Sequence, residues 1–156
     1  MSSSSRSAFK FFEPGAEPAG IEEDSLRRAR TAIDKLKRAY VSEWAPASLD
    51  ELERALKIAR SSPEMAAEQL DTAFRFAHDM KGQGATFGFM LISEIGAALC
   101  NLTFERTEAT PAEYEAMLAH VAAARTVLAE ELDDADSPAA LELRADLMAA
   151  VRAHLH

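Results

Sequence analysis

The chain of 156 residues contains one cysteine, six glycines and six prolines. A single cysteine excludes an internal disulfide framework and is consistent with a reducing compartment. Segments in which β-branched and polar residues alternate are absent, whereas alanine, leucine and glutamate are abundant, so the sequence predicts an all-α fold. The length suits one well-packed domain and is too short for two comfortable ones.

Positive charge is also scarce. The chain has 17 lysines and arginines against 26 aspartates and glutamates, which gives a formal net charge of −9. A nucleic-acid surface needs a dense basic patch, and none is found, so we expect no nucleic-acid partner. The most apolar stretch, residues 87–102, is interrupted by Ser93 and Glu94, and no cationic leader precedes an apolar core. We therefore expect no membrane association and a cytoplasmic location.

Proline and glycine divide the chain into a tail and a helical region. Residues 1–20 contain a serine run, the cluster Phe9-Lys-Phe-Phe12 and two breaks rich in proline and glycine, which predicts a flexible N-terminal tail. The phenylalanine cluster could alternatively fold back over an apolar groove. Residues 21–156 are expected to form a single helical bundle domain.

Cap and periodicity signals predict six helices in that domain. The first is expected from about Ile21 to Trp44, where Pro46 stops it, and the second after a capping box that begins at Ser48. The third is expected over residues 63–86, the fourth after Gly88, the fifth after a capping box at Thr110, and the sixth after residue 138. The apolar stripe of the first helix consists of Leu26, Ala29, Ile33, Leu36 and Tyr40. The central helices predict an antiparallel four-helix bundle with additional N- and C-terminal helices.

The segment from Ala77 to Gly88 is the one place where the sequence suggests a chemistry. On a helix with 3.6 residues per turn, Lys81 and Gly82 lie one turn beyond His78 on the same side. A nucleophile, a cation and a position without a side chain are thus neighbours. This arrangement is suited to a visiting anion.

The helical wheel determines which side of this segment is buried. An alternating spacing of three and four residues marks a core-facing stripe, and His78 points roughly 140° away from it. We therefore expect the histidine to face solvent. The stripe contains Leu70, Ala73, Ala77, Met80, Gly84 and Phe87. The exposed face contains Asp71, Phe74, Arg75, His78, Lys81, Gly82 and Ala85.

The glycines of this helix require a structural explanation, because a glycine in a helix interior destabilises the helix by about 1 kcal/mol relative to alanine. We expect Gly82 to leave space beside the imidazole and Gly84 to let a neighbouring helix approach closely. Gly88 is expected to break the helix and start the next one.

The segment resembles the signature of the histidine-containing phosphotransfer family, which is His-x-x-Lys-Gly followed by small residues, an apolar residue and a glycine. The only mild departure is Gln83, where the family often has serine or alanine. More loosely, the resemblance covers the helix pattern of residues 21–133. The signature positions are filled by His78, Lys81, Gly82, Gly84, Ala85, Phe87 and Gly88.

The resemblance implies that His78 accepts a phosphoryl group through Nε2 from an aspartate of a receiver domain and passes it to another receiver domain. A neutral imidazole has a free ring nitrogen that can attack phosphorus. Lys81 would stabilise the charge on the phosphoryl oxygens, and Gly82 would keep the approach open. The candidate docking residues around them are Asp71, Phe74, Arg75 and Ala85.

The resemblance also implies the partners of such a protein. These are response-regulator receiver domains and a hybrid or receiver-linked histidine kinase on separate chains, in two-component signalling. No intrinsic cofactor is implied, and the Mg²⁺ required for transfer is expected in the partner receiver domain.

The sequence bears on three other functions. A metal site near Asp133, Asp134 and Asp136 has no supporting ligand spacing, so this acidic run is better interpreted as a solvated helix end. His120 lies near an apolar stripe and is better interpreted as structural. An ATP-dependent kinase would need a glycine-rich phosphate loop, which is missing. The competing hypothesis is a non-catalytic helical interaction module that binds signalling proteins without phosphotransfer.

Overall fold

The computed structural model describes residues 20–155, with side chains from Glu22 to His154. This part of the chain is helical apart from short connections and contains no strand, which confirms the all-α prediction. The predicted N-terminal tail and its phenylalanine cluster lie outside the described residues, except for Gly20. The α-helices are α1 Gly20–Ala39, α2 Ala45–Ser61, α3 Ala66–Thr86, α4 Met90–Thr103, α5 Pro111–Ala129 and α6 Pro138–Leu155.

The chain divides into two units, the first ending at Leu36 and the second beginning at Lys37. In the first unit the described residues belong to α1 alone, and every side chain from Glu22 to Leu36 is exposed. Leu26, Ile33 and Leu36 keep 53%, 60% and 48% of their surface. The predicted apolar stripe is therefore uncovered at these three positions, because a helical pattern predicts an apolar face without specifying what covers it.

A π-helical turn, Tyr40–Trp44, joins α1 to α2 in place of the predicted break. The N–H of Ala45 donates to the Tyr40 carbonyl five residues back. Pro46 lies in the first turn of α2, where its missing N–H costs little, so the prediction that it stops the first helix is wrong. The predicted capping box at Ser48 is also wrong, because α2 has already begun at Ala45.

Helices α2 to α5 form a closed four-helix bundle in the second unit. Both α2 and α4 pack against α3 on one side and against α5 on the other. Short connections, such as residues 87–89 between α3 and α4, make consecutive helices antiparallel. Helix α6 packs against α5, and Arg144 on α6 forms an ion pair with Glu94 on α4, with Nη2 to Oε2 at 3.0 Å. The predicted bundle with additional helices is confirmed.

The core face of α3 is the one that the periodicity predicts. The α5 helix begins at the predicted capping box, in which Glu113 N–H donates to Thr110 Oγ1 and Thr110 N–H donates to Glu113 Oε1, both at 3.1 Å. None of the helices described is long and apolar enough to cross a membrane. The buried members of the α3 stripe are Leu70, Ala73, Ala77, Met80 and Gly84, with Phe87 partly buried. Those of α5 are Tyr114, Met117, Val121, Ala124 and Leu128.

Candidate functional site

Helix α3 presents His78 on the side that faces away from the bundle core. The side chain is exposed, whereas Ala77 and Met80 on the opposite side of the helix are buried. Phe74, one turn earlier, lies beside the imidazole with ring centroids 6.1 Å apart and planes inclined by 40°. The histidine is therefore open to another molecule on one side and supported by an aromatic ring on the other.

Open space and a cation lie one turn beyond His78. A Cβ atom at Gly82 would have no heavy atom within 4 Å. Lys81 is exposed, and its positive charge acts on Cys100 of α4. Burial raises the pKa of the Cys100 thiol, and the Lys81 ammonium lowers the same pKa by a smaller amount. An anion that contacts the imidazole would thus find a positive charge beside it and no side chain in its way.

Two glycines bring α3 and α4 into close contact behind this site. A Cβ atom at Gly84 would lie 2.7 Å from Ser93 N, and one at Gly96 would lie 2.7 Å from Lys81 N. The sequence predicts such an approach at Gly84 but not at Gly96. A lone glycine inside the apolar α4 pattern was the available signal.

The end of α3 is fixed by Phe87 and Gly88. Gly88 has a φ of +82°. Its N–H donates to Ala85 O at 3.3 Å, and the Phe89 N–H donates to Gly84 O at 2.8 Å, which is the hydrogen-bond pattern of a Schellman motif. The chain therefore reverses at Gly88 and lets α4 return along α3.

Phe87 anchors this reversal to the π-helical turn. Its ring stacks on Tyr40 at 4.6 Å between centroids and meets the edge of Trp44 at 6.0 Å. Burial raises the pKa of Tyr40 to about 12, so the phenol keeps its proton at neutral pH. The aromatic contacts hold the C-terminal end of the motif helix in one position.

A further exposed aromatic residue, Phe104, lies next to the site. It follows α4 directly, keeps 56% of its surface, and packs against Phe74 with centroids 5.4 Å apart. Phe74, which is half-buried rather than fully exposed as predicted, forms a continuous surface with the exposed His78 and Phe104, and we call this surface the aromatic patch. Sequence reasoning missed Phe104 because its place depends on how α4 ends beside α3, and only its large apolar side chain in a connection could have drawn attention.

The remaining candidate docking residues lie on the same face of α3. Arg75 donates from Nε to Asp71 Oδ2 at 3.1 Å, and this hydrogen bond together with the Asp71 charge raises the pKa of the Arg75 guanidinium. The positive charge of Arg75 is therefore largely compensated by its own neighbour. Ala85 is exposed two turns beyond His78 and adds a small, flat contact area.

The other polar groups noted in the sequence have structural partners. Asp133 pairs with Lys37 at 3.2 Å, and Asp134 Oδ1 accepts from the Asp136 N–H at 3.0 Å within a turn. His120 is buried in α5, with Nδ1 at 2.7 Å from Ala116 O. Across residues 20–155, no group of three or more histidine, cysteine, aspartate or glutamate side chains is placed to hold a metal ion.

Comparison with known proteins gives one match. Residues 38–137 match the family model described as Hpt domain. No curated protein and no solved structure matches the chain. The match begins at the end of α1, contains the whole four-helix bundle, and stops before α6. The single domain expected over residues 21–156 stays a prediction.

Proposed function

Because the family match spans well over half of the chain, the protein belongs to the Hpt domain family, and we propose that it is a phosphorelay intermediary that carries the phosphoryl group on His78. Hpt domains act in histidine phosphotransfer with receiver domains and histidine kinases. The observation that carries the proposal is the exposed His78 ring with an open Gly82 and an exposed Lys81 one turn further along α3.

The proposed step is an exchange between nitrogen and oxygen at phosphorus. The Nε2 lone pair of His78 attacks the phosphorus atom of an aspartyl phosphate in a receiver domain. The N–P bond forms as the bond between phosphorus and the carboxylate oxygen breaks, the carboxylate leaves with the electron pair, and Nδ1 keeps its proton. The reverse exchange transfers the group to the aspartate of a second receiver domain, and the Mg²⁺ that assists both steps belongs to the receiver.

Lys81 and Gly82 have different roles in this proposal. The Lys81 ammonium stabilises the negative charge that spreads over the phosphoryl oxygens during transfer. Gly82 leaves room for the receiver backbone to come close to the imidazole. The absence of any heavy atom within 4 Å of a Cβ built at Gly82 supports this role.

The aromatic patch is the proposed centre of the docking surface. Phe74 and Phe104 supply an apolar area directly beside the reacting nitrogen, and Ala85 extends it along α3. Exclusion of water from this area on docking strengthens the electrostatic effect of Lys81. The compensated Asp71–Arg75 pair lies at its edge, where it can exchange partners with charges of the receiver.

Radiolabel transfer from phosphorylated receiver domains to the purified protein tests the proposal. We expect a label that is labile in acid and stable in alkali, and its complete loss in His78→Gln. Lys81→Ala should accept the label on the order of tenfold to a hundredfold more slowly, since it removes one stabilising charge. Lys57→Ala on α2 is the matched control, because it removes an exposed lysine from another helix.

The interaction-module hypothesis predicts a different result. If phosphorylated receivers bind the protein and His78→Gln equally well and never transfer a label, the bundle acts as a binding module and the proposed function is wrong. Labelling of His78→Gln to the level of the unmodified chain would also contradict the assignment of His78.

A further inference from the structure

Helix α1 carries an apolar stripe that nothing in the described part of the chain covers. Leu26, Ile33 and Leu36 are 53%, 60% and 48% exposed, and Ala29 between them is exposed as well. Most helices in proteins owe their stability to packing of an apolar face rather than to intrinsic propensity. The residues of this stripe also precede the region that matches the Hpt family. We therefore expect this stripe to pack against a partner outside the four-helix bundle.

The spacing of the stripe is that of a coiled-coil seam. Leu26, Ala29, Ile33 and Leu36 are separated by three, four and three residues, which is the alternation of positions a and d in a heptad. On the opposite side of the helix, Thr31 is exposed. The seam is thus narrow and lies on one side only, as in helices that pair with one other helix.

The seam is self-complementary in the antiparallel orientation. Leu26 and Leu36 are equally far from Thr31 in sequence, and so are Ala29 and Ile33. In a two-fold pair centred at Thr31, Leu26 would therefore face the partner's Leu36, and Ala29 would face the partner's Ile33. Each layer then combines either two leucines or a small and a large residue, so all layers can be filled.

The charges of α1 select the same orientation. Its first turn contains Glu22 and Glu23, and its last turn contains Lys37, which also pairs with Asp133 at 3.2 Å, and Arg38, which lies two turns beyond Thr31 on the outer side. Antiparallel pairing brings the acidic end of each helix to the basic end of the other. Parallel pairing would bring like charges together at both ends, which costs free energy.

We propose that α1 is a dimerisation helix whose Leu26, Ala29, Ile33 and Leu36 pair, antiparallel, with the same face of a second copy of this chain. A 20-residue helix is about 30 Å long, so the interface is at the small end of specific interfaces. The dimer is accordingly a reversible one, in equilibrium with the monomer.

Sedimentation velocity of the full chain, from about 1 μM to about 1 mM, tests the dimer. We expect a monomer–dimer equilibrium whose dissociation constant rises at least about tenfold in Ile33→Glu, because each dimer then buries two carboxylates in the seam. Thr31→Glu adds the same charge to the outer face of the same helix and should leave the equilibrium unchanged. A monomer at every concentration would overturn the proposal and point to another occupant, such as residues 1–19. An unchanged equilibrium in Ile33→Glu would overturn it too.

Disulfide trapping tests the orientation. In a Cys100→Ser background, a mixture of Leu26→Cys and Leu36→Cys should form the cross-linked dimer under mild oxidation, and peptide mapping should find the link between positions 26 and 36. Either variant alone should cross-link at most at the low level of a Thr31→Cys control. Efficient links between two copies of position 26, or of position 36, would overturn the antiparallel arrangement.

Discussion

Gly96 of α4 lies directly against the backbone of Lys81 in α3. A Cβ atom at Gly96 would stand 2.7 Å from Lys81 N, 2.9 Å from Lys81 Cα and 3.0 Å from Ala77 O. The atoms it would meet are all backbone, so no side chain can turn away to make room. The helical turn that carries His78 and Lys81 therefore rests on a neighbouring helix at a position that tolerates no side chain.

The first prediction concerns this contact. Gly96→Ala should lower the free energy of unfolding by about 1–3 kcal/mol, because the two backbones must separate to admit the methyl group. The better helix propensity of alanine, about 1 kcal/mol, offsets only part of that loss. Urea unfolding followed by circular dichroism measures the difference. A variant as stable as the unmodified chain would show that the two helices separate at little cost.

The second prediction contrasts the two glycines inside α3. Gly82→Ala should leave the protein equally stable or stabilise it by up to about 1 kcal/mol, because the new Cβ enters open space and alanine favours the helix. Gly84→Ala should destabilise it by about 1–3 kcal/mol, because the new Cβ would stand 2.7 Å from Ser93 N. The substitution is the same in one helix, so each variant is the control for the other. Equal shifts in the urea midpoint would contradict the packing described.

The exposure of the site could be predicted from the sequence because it depends on one helix. The 3.6-residue period of α3 separates Leu70, Ala73 and Ala77 from His78 and Lys81, and the structure has the first three buried and the other two exposed. No knowledge of neighbouring helices is needed for that. The chemical roles of His78 and Lys81 stay predictions until transfer is measured.

Other features could not be predicted because they depend on contacts between elements. Phe104 becomes part of the aromatic patch only because α4 ends beside Phe74, and Gly96 matters only because Lys81 lies across from it. Pro46 is a local signal that fits two positions, since proline is tolerated in the first turn of a helix as well as after its end.

The third prediction tests the aromatic patch. If receiver domains dock on it, Phe104→Ala should weaken docking and reduce the efficiency of transfer to His78 about tenfold, mainly through a higher half-saturating receiver concentration. Its stability should change little, because Phe104 is 56% exposed.

Leu141→Ala on α6 is the matched control, because Leu141 is 51% exposed and belongs to another helix. Transfer by this variant should equal that of the unmodified chain. Equal losses in the two variants would show that the effect comes from general loss of apolar surface, and no loss in Phe104→Ala would remove this residue from the docking surface.

The last prediction concerns pH and His120, which is 5% exposed and borders a cavity of about 80 Å³ that Glu94 and Arg144 also line. Burial lowers the pKa of His120 below its ordinary value of 6.5, and the hydrogen bond to Ala116 O offsets part of this effect. Near and below pH 6.5 the unfolded chain therefore binds a proton that the folded chain does not. Stability rises with pH wherever the unfolded state binds more protons, so it should fall as the pH decreases from 7.5 through 6.5.

The expected slope is at most about 1.4 kcal/mol per pH unit for one group. His120→Asn keeps a donor that can reach Ala116 O but cannot titrate, so its free energy of unfolding should depend less on pH between 7.5 and 5.5. Urea unfolding of both proteins across that window measures the difference, and the other histidines are common to both. Glu113 does not change the stability within this pH window. Hydrogen bonds from the Thr110 N–H and from Arg106 lower the pKa of its carboxyl, so its contribution to stability changes only at lower pH. Parallel pH profiles would mean that the folded protein accommodates a charged His120, for which α6 would have to give water or Glu94 access to the ring.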